Sequence, residues 1–428
     1  MFPTIFPLQA FLAPLAQNPW TYLVFGLIGF GFGFVLELSG FGNSKVLAAQ
    51  FYFKNLTVLK VMFGAIVTAM VLLFLSSSLG ILDYNLVYVP ETHMWPGLLG
   101  GVIMGVGFIV GGFCPGTALV SASTFKVDGI VFSLGAIVGV WAFGETVQPY
   151  WDWWNNSGYM GRLTLMDAFG LPTGVVVLAV VLMALFMFWG GEKLEAIFGK
   201  KDLSKEPKLR YAGAAFLVLV AVAVLVLGQP DTGQKYTKVL LTREVNGEKV
   251  QMPADEALAN REVQIHPAEL LASLADQKLN IVMYDVRSEA DYNLFHITGA
   301  QRIDLADVPS LVPDLLAQNS ANTIVVLMSN DETAATKAWK MLVGESVSNV
   351  YILDGGVNHW ITVFGEDETG IHAAGGQVGD DRLAYTFDAA LGDHYQAAHP
   401  KFYEWENVEY TPRIQLQRKR GPSGGGCG

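Results

Sequence analysis

Gly111-Gly112-Phe113-Cys114-Pro115-Gly116-Thr117 interrupts an otherwise apolar region and holds one of the chain's two cysteines. The glycine pair ends one long apolar run, and Pro-Gly-Thr opens a short segment rich in Ala, Ser and Thr. Such a break is costly in a bilayer, because backbone N–H and C=O groups released from a helix find no water there. Irregular backbone is tolerated at that depth only inside protein or beside a polar cavity. The stretch therefore predicts a pore or binding site and not a plain anchor.

Outward from it, six stretches are long and apolar enough to span: about 20–38, 58–79, 95–112, 128–147, 173–190 and 210–228. The composition agrees, with 52% hydrophobic and only 15% charged residues over 428 positions. Charge is uneven. Residues 1–228 carry 11 Lys/Arg and 11 Asp/Glu, residues 229–428 carry 16 and 28, and so the whole net charge of −12 lies in the second half. An acidic soluble half argues against nucleic acid as a partner. Two cysteines cannot build a disulfide framework or a Cys-rich metal site, and no metal or cofactor is expected.

Orientation follows from the basic residues. Lys45, Lys54 and Lys60 follow the first span, Lys126 the third, and Lys193, Lys200, Lys201, Lys205, Lys208 and Arg210 the fifth. The alternate loops carry only Arg162, with Tyr150, Trp151, Trp153 and Trp154. This predicts a multi-pass protein with its N-terminus outside, basic loops in the cytoplasm and the acidic half outside. Met1-Phe2-Pro3-Thr4-Ile5-Phe6-Pro7 lacks Lys, Arg and a small-residue cleavage site, and reads as an interfacial segment leading to Trp20.

The region also repeats. Gly31-Phe32-Gly33-Phe34-Val35 corresponds to Gly105-Val106-Gly107-Phe108-Ile109, and Ser39-Gly40-Phe41-Gly42 to Gly111-Gly112-Phe113-Cys114. Phe53-Lys54 matches Phe125-Lys126, and Gly64-Ala65-Ile66-Val67 matches Gly135-Ala136-Ile137-Val138, at an offset of about 72. Each copy reads as a span, a re-entrant glycine break (about 39–54 and 111–127), a short helix and a second span. The copies are expected to be parallel, with both breaks entering from the cytoplasmic side.

After each break a short helix starts inside the protein: from about Gly116 behind Pro115, and from about Lys45 behind a capping Ser44. Helix N-termini offer free N–H groups and partial positive charge to an anion. Thr117, Ser121, Ser123 and Ser44 add hydroxyls and Cys114 a soft thiol, a set suited to a small oxyanion that carries sulfur or selenium. A small buried apolar residue is the competing reading of Cys114. Glu37, the one acid within the first span, is a functional candidate, with an ion pair to Lys45 as the alternative.

The paired breaks, Gly112-Phe113-Cys114-Pro115-Gly116-Thr117 and Ser39-Gly40-Phe41-Gly42-Asn43-Ser44 followed by Lys45 to Phe53, resemble the YeeE/YedE family of inner-membrane sulfur transporters over about residues 20–147. The resemblance implies passage of thiosulfate or a related species along a thiol-lined pore, with Cys114 as a pore cysteine. The first motif departs from the pattern, with Gly42-Asn43 where a cysteine is expected. Larger family members hold about twice this core, which raises a homodimer as the way to complete the pore.

Residues 229–262 read as a polar linker. From 263 an α/β alternation begins: Asn280 to Arg287, Thr323 to Met328 and Val350 to Leu353 as strands, and Glu332 to Leu342 as a helix. Asp285-Val286-Arg287, His296-Ile297-Thr298-Gly299-Ala300 and Leu353-Asp354-Gly355-Gly356 with Trp360 resemble the rhodanese domain over about 263–365. The fold class is thus an α-helical polytopic membrane domain with duplicated units, followed by a small α/β rhodanese-like domain. In that family a cysteine follows the central strand; here Met328 stands there, ahead of Ser329, Asn330 and Asp331. A thioether cannot form a persulfide by thiolate attack, so no catalytic residue is assigned and docking remains.

The extension, 366–428, ends in a Gly/Ser-rich arm with Cys427. Its last residues resemble the tail of SoxY-type sulfur carriers, which implies periplasmic sulfur-handling partners; a plain tail is the alternative. Cys114 and Cys427 are not expected to form a disulfide. The leading expectation is a transporter for a small sulfur anion. Its rivals are a membrane-anchored relay platform that carries sulfur on Cys427, and a sulfurtransferase, which Met328 disfavours.

Overall fold

Runs of glycine, alanine and β-branched residues in the first half fold into long helices separated by glycine breaks. The computed structural model describes residues 20–87, 89–200, 208–245, 248–317, 322–374, 381–405 and 407–416. The chain forms two compact units that divide at Pro230 and Asp231.

In the first unit, α1 (Trp20–Leu38), α2 (Ser44–Ala49) and α3 (Thr57–Ser78) are followed by α4 (Met94–Gly111), α5 (Pro115–Ser123) and α6 (Val127–Thr146). Two further long helices, α7 (Thr173–Phe198) and α8 (Leu209–Leu227), complete it. Among the described residues, five stretches are long and apolar enough to cross a membrane: α3, the α4–α5 pair, α6, α7 and α8. The apolar part of α1, Tyr22–Leu38, is shorter.

The two triplets share their irregularities as well as their order. Gly40 and Gly112 are left-handed (φ 80° and 72°), and so are Phe53 and Phe125 (φ 53° and 58°). Left-handed backbone is uncommon for a bulky side chain. Finding it at both equivalent phenylalanines, 72 positions apart, marks a duplicated geometry. Phe41 and Phe113, also equivalent, are buried in one cluster with Leu47, Val58 and Ala118. Contacts run crosswise: α1 meets α5, and α2 meets α4.

Helices α3, α7 and α8 pack together through Val67, Val71, Phe74, Val177, Val181, Ala184, Ala221 and Val224. Near its C-terminal end α7 buries Glu195 completely. A carboxylate in such a place needs partners, and it has them. Leu56 N donates to Oε1 at 2.6 Å and Lys60 Nζ to Oε2 at 2.5 Å. Glu195 thereby ties α7 to the chain leaving the first break, a role not read from the sequence.

In the second unit five parallel strands form one sheet in the order β3-β7-β6-β4-β5. These are β3 (Gln264–Ile265), β4 (Asn280–Asp285), β5 (Gln301–Arg302), β6 (Thr323–Met328) and β7 (Val350–Leu353). Strand β6 lies at the centre, buried along its whole length as a parallel strand covered on both faces must be. One apolar cluster centres on Trp339, the other on Trp360.

The stretch read as a linker, 229–262, is structured instead. It holds an antiparallel hairpin, β1 (Leu240–Val245) with β2 (Glu248–Pro253), between two short helices. Tyr236, Met252, Ala254 and Ala257 join the Trp339 core. The extension also packs: Trp360 Nε1 donates to Ala397 O at 2.7 Å, and Arg413 and Ile414 N–H donate to Glu269 Oε1 at 2.7 and 2.8 Å.

Candidate functional site

Helix α4 stops because Gly112 turns left-handed and Pro115, two residues after Phe113, has no N–H to extend the ladder. Pro115 then opens α5 at its first turn, as the sequence predicts. Cys114 is the N-cap itself. Thr117 N–H donates to Cys114 Sγ at 3.4 Å, and the Thr117 hydroxyl lies 3.3 Å from Sγ and 3.1 Å from Cys114 O. Cys114 N–H donates back to Thr117 Oγ1 at 3.0 Å, completing a capping box with sulfur in the usual place of oxygen. The half-buried thiol thus sits at a helix N-terminus, where partial positive charge gathers. Further along the helix, Ser121 is wholly buried, and its hydroxyl has no partner among the described residues.

The first break differs in detail from expectation. Asn43, not Ser44, caps α2, accepting from Lys45 N–H at 3.1 Å. Asn has the shorter route to the second N–H from the cap, whereas Ser44 is already inside the helix. Glu37 does not pair with Lys45; its Oε1 takes Lys126 Nζ at 3.0 Å, from the turn after α5. Lys45 itself is exposed. Lys126 Nζ also donates to Gly42 O at 3.0 Å. A Cβ on Gly112 would lie 3.0 Å from Ser44 Cβ, so the two breaks touch. The structure therefore brings together Glu37, Gly42 and Lys126, and separately Ser44 and Gly112. In the sequence Lys126 marks only the orientation and the repeat, not a site.

In the second unit, Asp285 and Arg287 form an ion pair at 2.6 Å, with both side chains fully buried. Arg287 also donates to Phe295 O at 2.7 Å and Asn330 Oδ1 at 3.4 Å, fastening the loop after β6. Met328, which ends β6, is buried, and so are Ser329 and Asn330 in that loop. Several of its polar groups bond within the chain itself. Asp331 N–H donates to Asp381 Oδ1 at 3.0 Å while Asp381 N–H donates to Asp331 Oδ2 at 3.1 Å. Val357 and Asn358 N–H, at the start of α9 (Gly356–Phe364), donate to Ser329 O and Asn330 O at 2.9 and 3.0 Å. Gly356 is required there, because a Cβ would overlap the carbonyls of Ser329 and Asp331. Burial pushes the Asp381 carboxyl up. Cys427 lies outside the described residues.

Beside this loop, His359 meets Asp354 Oδ2 at 3.2 Å, and Arg261 bridges Asp354 and Glu332. The hydrogen bond to Asp354 holds His359 above its ordinary value, whereas burial and then the His359 charge hold neighbouring His266 below its own. A base raised on folding contributes stability below about pH 6.5 that is lost as pH rises through the folded value. A base lowered on folding does the opposite, its contribution falling as pH drops below about 6.5. Thermal unfolding should therefore show the His359 arm declining above about pH 6.5, and His359→Gln should flatten that arm and reduce, without abolishing, the acid-side arm of His266, whose burial remains. Unchanged curvature above pH 6.5 in the variant would contradict this.

Comparison with known proteins gives these sites a context. The family described as Sulphur transport matches residues 38–280, more than half of the chain, and the Rhodanese-like domain family matches residues 266–362. The thiosulfate transporter TsuA of Spirochaeta thermophila is 24% identical over 237 residues, which cover 51% of this chain and 65% of the transporter. The thiosulfate sulfurtransferase GlpE of Pseudomonas entomophila is 33% identical over 101 residues, 24% of this chain and 86% of that enzyme. GlpE of Pseudomonas fluorescens is 32% identical over 98 residues, with 23% and 84% covered. The transport match takes in both breaks and every long helix after them. The chain belongs to the sulphur transport family and carries a rhodanese-like domain.

Proposed function

We propose that this protein moves a small sulfur-containing anion, thiosulfate or a close relative, across the bacterial inner membrane through a passage at the two breaks. The observation that carries the reading is Cys114. A thiol that caps a short helix, receives the Thr117 N–H and lies within one of two duplicated glycine breaks suits contact with a soft sulfur atom. Pro115, Gly116 and Thr117 shape that side of the path, and Gly42, Asn43, Ser44, Lys45 and Glu37 belong to the other. A second copy of the chain would complete the wall. In support, Gly97, Gly101 and Gly105 lie along α4 with open space beside them, as close helix contacts in lipid require.

The rhodanese-like domain is assigned a docking or hand-over role outside the cytoplasm, alongside periplasmic sulfur-handling proteins. The burial of Met328 and the Asp331–Asp381 clasp support a domain without sulfurtransferase activity of its own. The test is uptake of labelled thiosulfate by the full chain in proteoliposomes. Uptake above that of protein-free vesicles, competed by sulfite more than by chloride, is the expected result. A sulfur adduct on Cys427 without any flux would instead assign a relay platform.

A further inference from the structure

Gly42 is the first-copy counterpart of Cys114, 72 positions earlier. What occupies the space of the missing side chain is an ion pair. A Cβ on Gly42 would overlap the Glu37 carboxylate and lie 3.0 Å from Lys126 Nζ. The three groups come from three places: Glu37 from the end of α1, Gly42 from the first break, and Lys126 from the turn that closes α5. That turn is fixed. Lys126 N–H donates to Ser121 O at 3.2 Å, and the left-handed Phe125 before it reverses the chain. The ammonium is thereby delivered across the seam between the two copies, onto the carbonyl at position 42.

The pair is also open. Its side chains keep 42% and 44% of their surface free, whereas Glu195, which pairs with Lys60, keeps none, and Arg210 and Glu192 keep 26% and 20%. A pair not enclosed by protein leaves room for an incoming ion to replace one of its partners. An ammonium is a compact charge with several donors, and a doubly charged oxyanion competes well for it against a single carboxylate.

Resting on the transport reading above, we propose that Lys126 is an anion station at the first break, standing where the second break has a thiol. Glu37 is its resident counter-ion, displaced when a sulfur oxyanion arrives and restored when it leaves. The step exchanges one ion-pair partner for another; no covalent bond forms or breaks and no electron moves. Charge is read at one break and soft sulfur at the other.

A merely structural tie between the copies makes a different prediction, and the signs separate the two. For the full chain in proteoliposomes, Lys126→Gln should raise the KM for thiosulfate about tenfold or more, the size of losing a hydrogen bond to a charged group. Lys126→Arg should retain transport, and Glu37→Gln, which frees the ammonium, should lower KM. The double variant should resemble Lys126→Gln. Thiosulfate protection of Cys114 against maleimide, mapped by peptide mass spectrometry, should weaken in Lys126→Gln and strengthen in Glu37→Gln. If both single variants impair uptake alike and the double variant recovers it, the pair is a tie and the station is overturned. Should Lys126→Gln fail to insert, Glu37→Gln decides alone, and an unchanged or raised KM counts against the proposal. Transport by the wild type with an unchanged KM in Lys126→Gln removes the station and leaves the transport reading standing; absence of wild-type uptake and protection removes both.

Discussion

Replacing Cys114 by serine should leave a well-folded protein that takes up thiosulfate about tenfold more slowly, a barrier change of about 1.4 kcal/mol, because the hydroxyl keeps the donor and the cap but not the soft sulfur. Serine is the informative choice because it is a better helix cap than cysteine. It keeps the reciprocal bonds with Thr117 and so preserves the start of α5. Only the soft sulfur goes. Alanine removes cap and sulfur together, and should add about 1 kcal/mol of local destabilisation to the same loss of uptake. Full uptake by the serine variant would show that Cys114 serves the fold alone. Thr117→Val removes the hydroxyl near Sγ and the acceptor of Cys114 N–H while leaving the thiol, so its uptake should fall between wild type and Cys114→Ser.

The largest effect on stability belongs to Arg287. Its side chain is fully buried against Asp285, and it also holds Phe295 O and Asn330. Arg287→Met supplies volume but leaves the Asp285 carboxylate buried without its counter-charge, a loss of about 3–5 kcal/mol. With a urea m-value of about 1–3 kcal/mol/M, the midpoint for the second unit should fall by about 2 M. Because the cost lies in the orphaned charge, Asp285→Asn with Arg287→Met should recover part of it. A shift no larger than that of a surface substitution, within about 0.5 kcal/mol, would mean that water reaches the pair.

What could be read in advance was local chemistry. Gly112 and Pro115 announce the end of one helix and the start of another through backbone rules that need no partner, and the structure breaks between them. The apolar run within Thr323–Met328 reads as a strand, and it is the central one, buried along its whole length. What escaped depends on distance. Glu37 and Lys126 are 89 residues apart, and nothing near Glu37 distinguishes Lys126 from Lys45. Glu195 lies among basic residues in the sequence, and only folding sets it beside Lys60, 135 residues away. The hairpin of 240–253 was hidden by its polarity, although Asn246-Gly247 between its strands is a dipeptide that two-residue hairpins favour. In the extension, the packing of Ala397 under Trp360 carries no periodicity to detect.

The clasp between Asp331 and Asp381 also sets a direction for descent. With residue 328 wholly enclosed and the neighbouring N–H of Asp331 committed to Asp381, a single codon change to cysteine would place a nucleophile behind a closed wall. On the docking role proposed above, sulfur chemistry at this position would need the clasp opened first. The clasp thus favours change on the outer surface of this domain, where contact can be reshaped without disturbing the chain packed around residue 328.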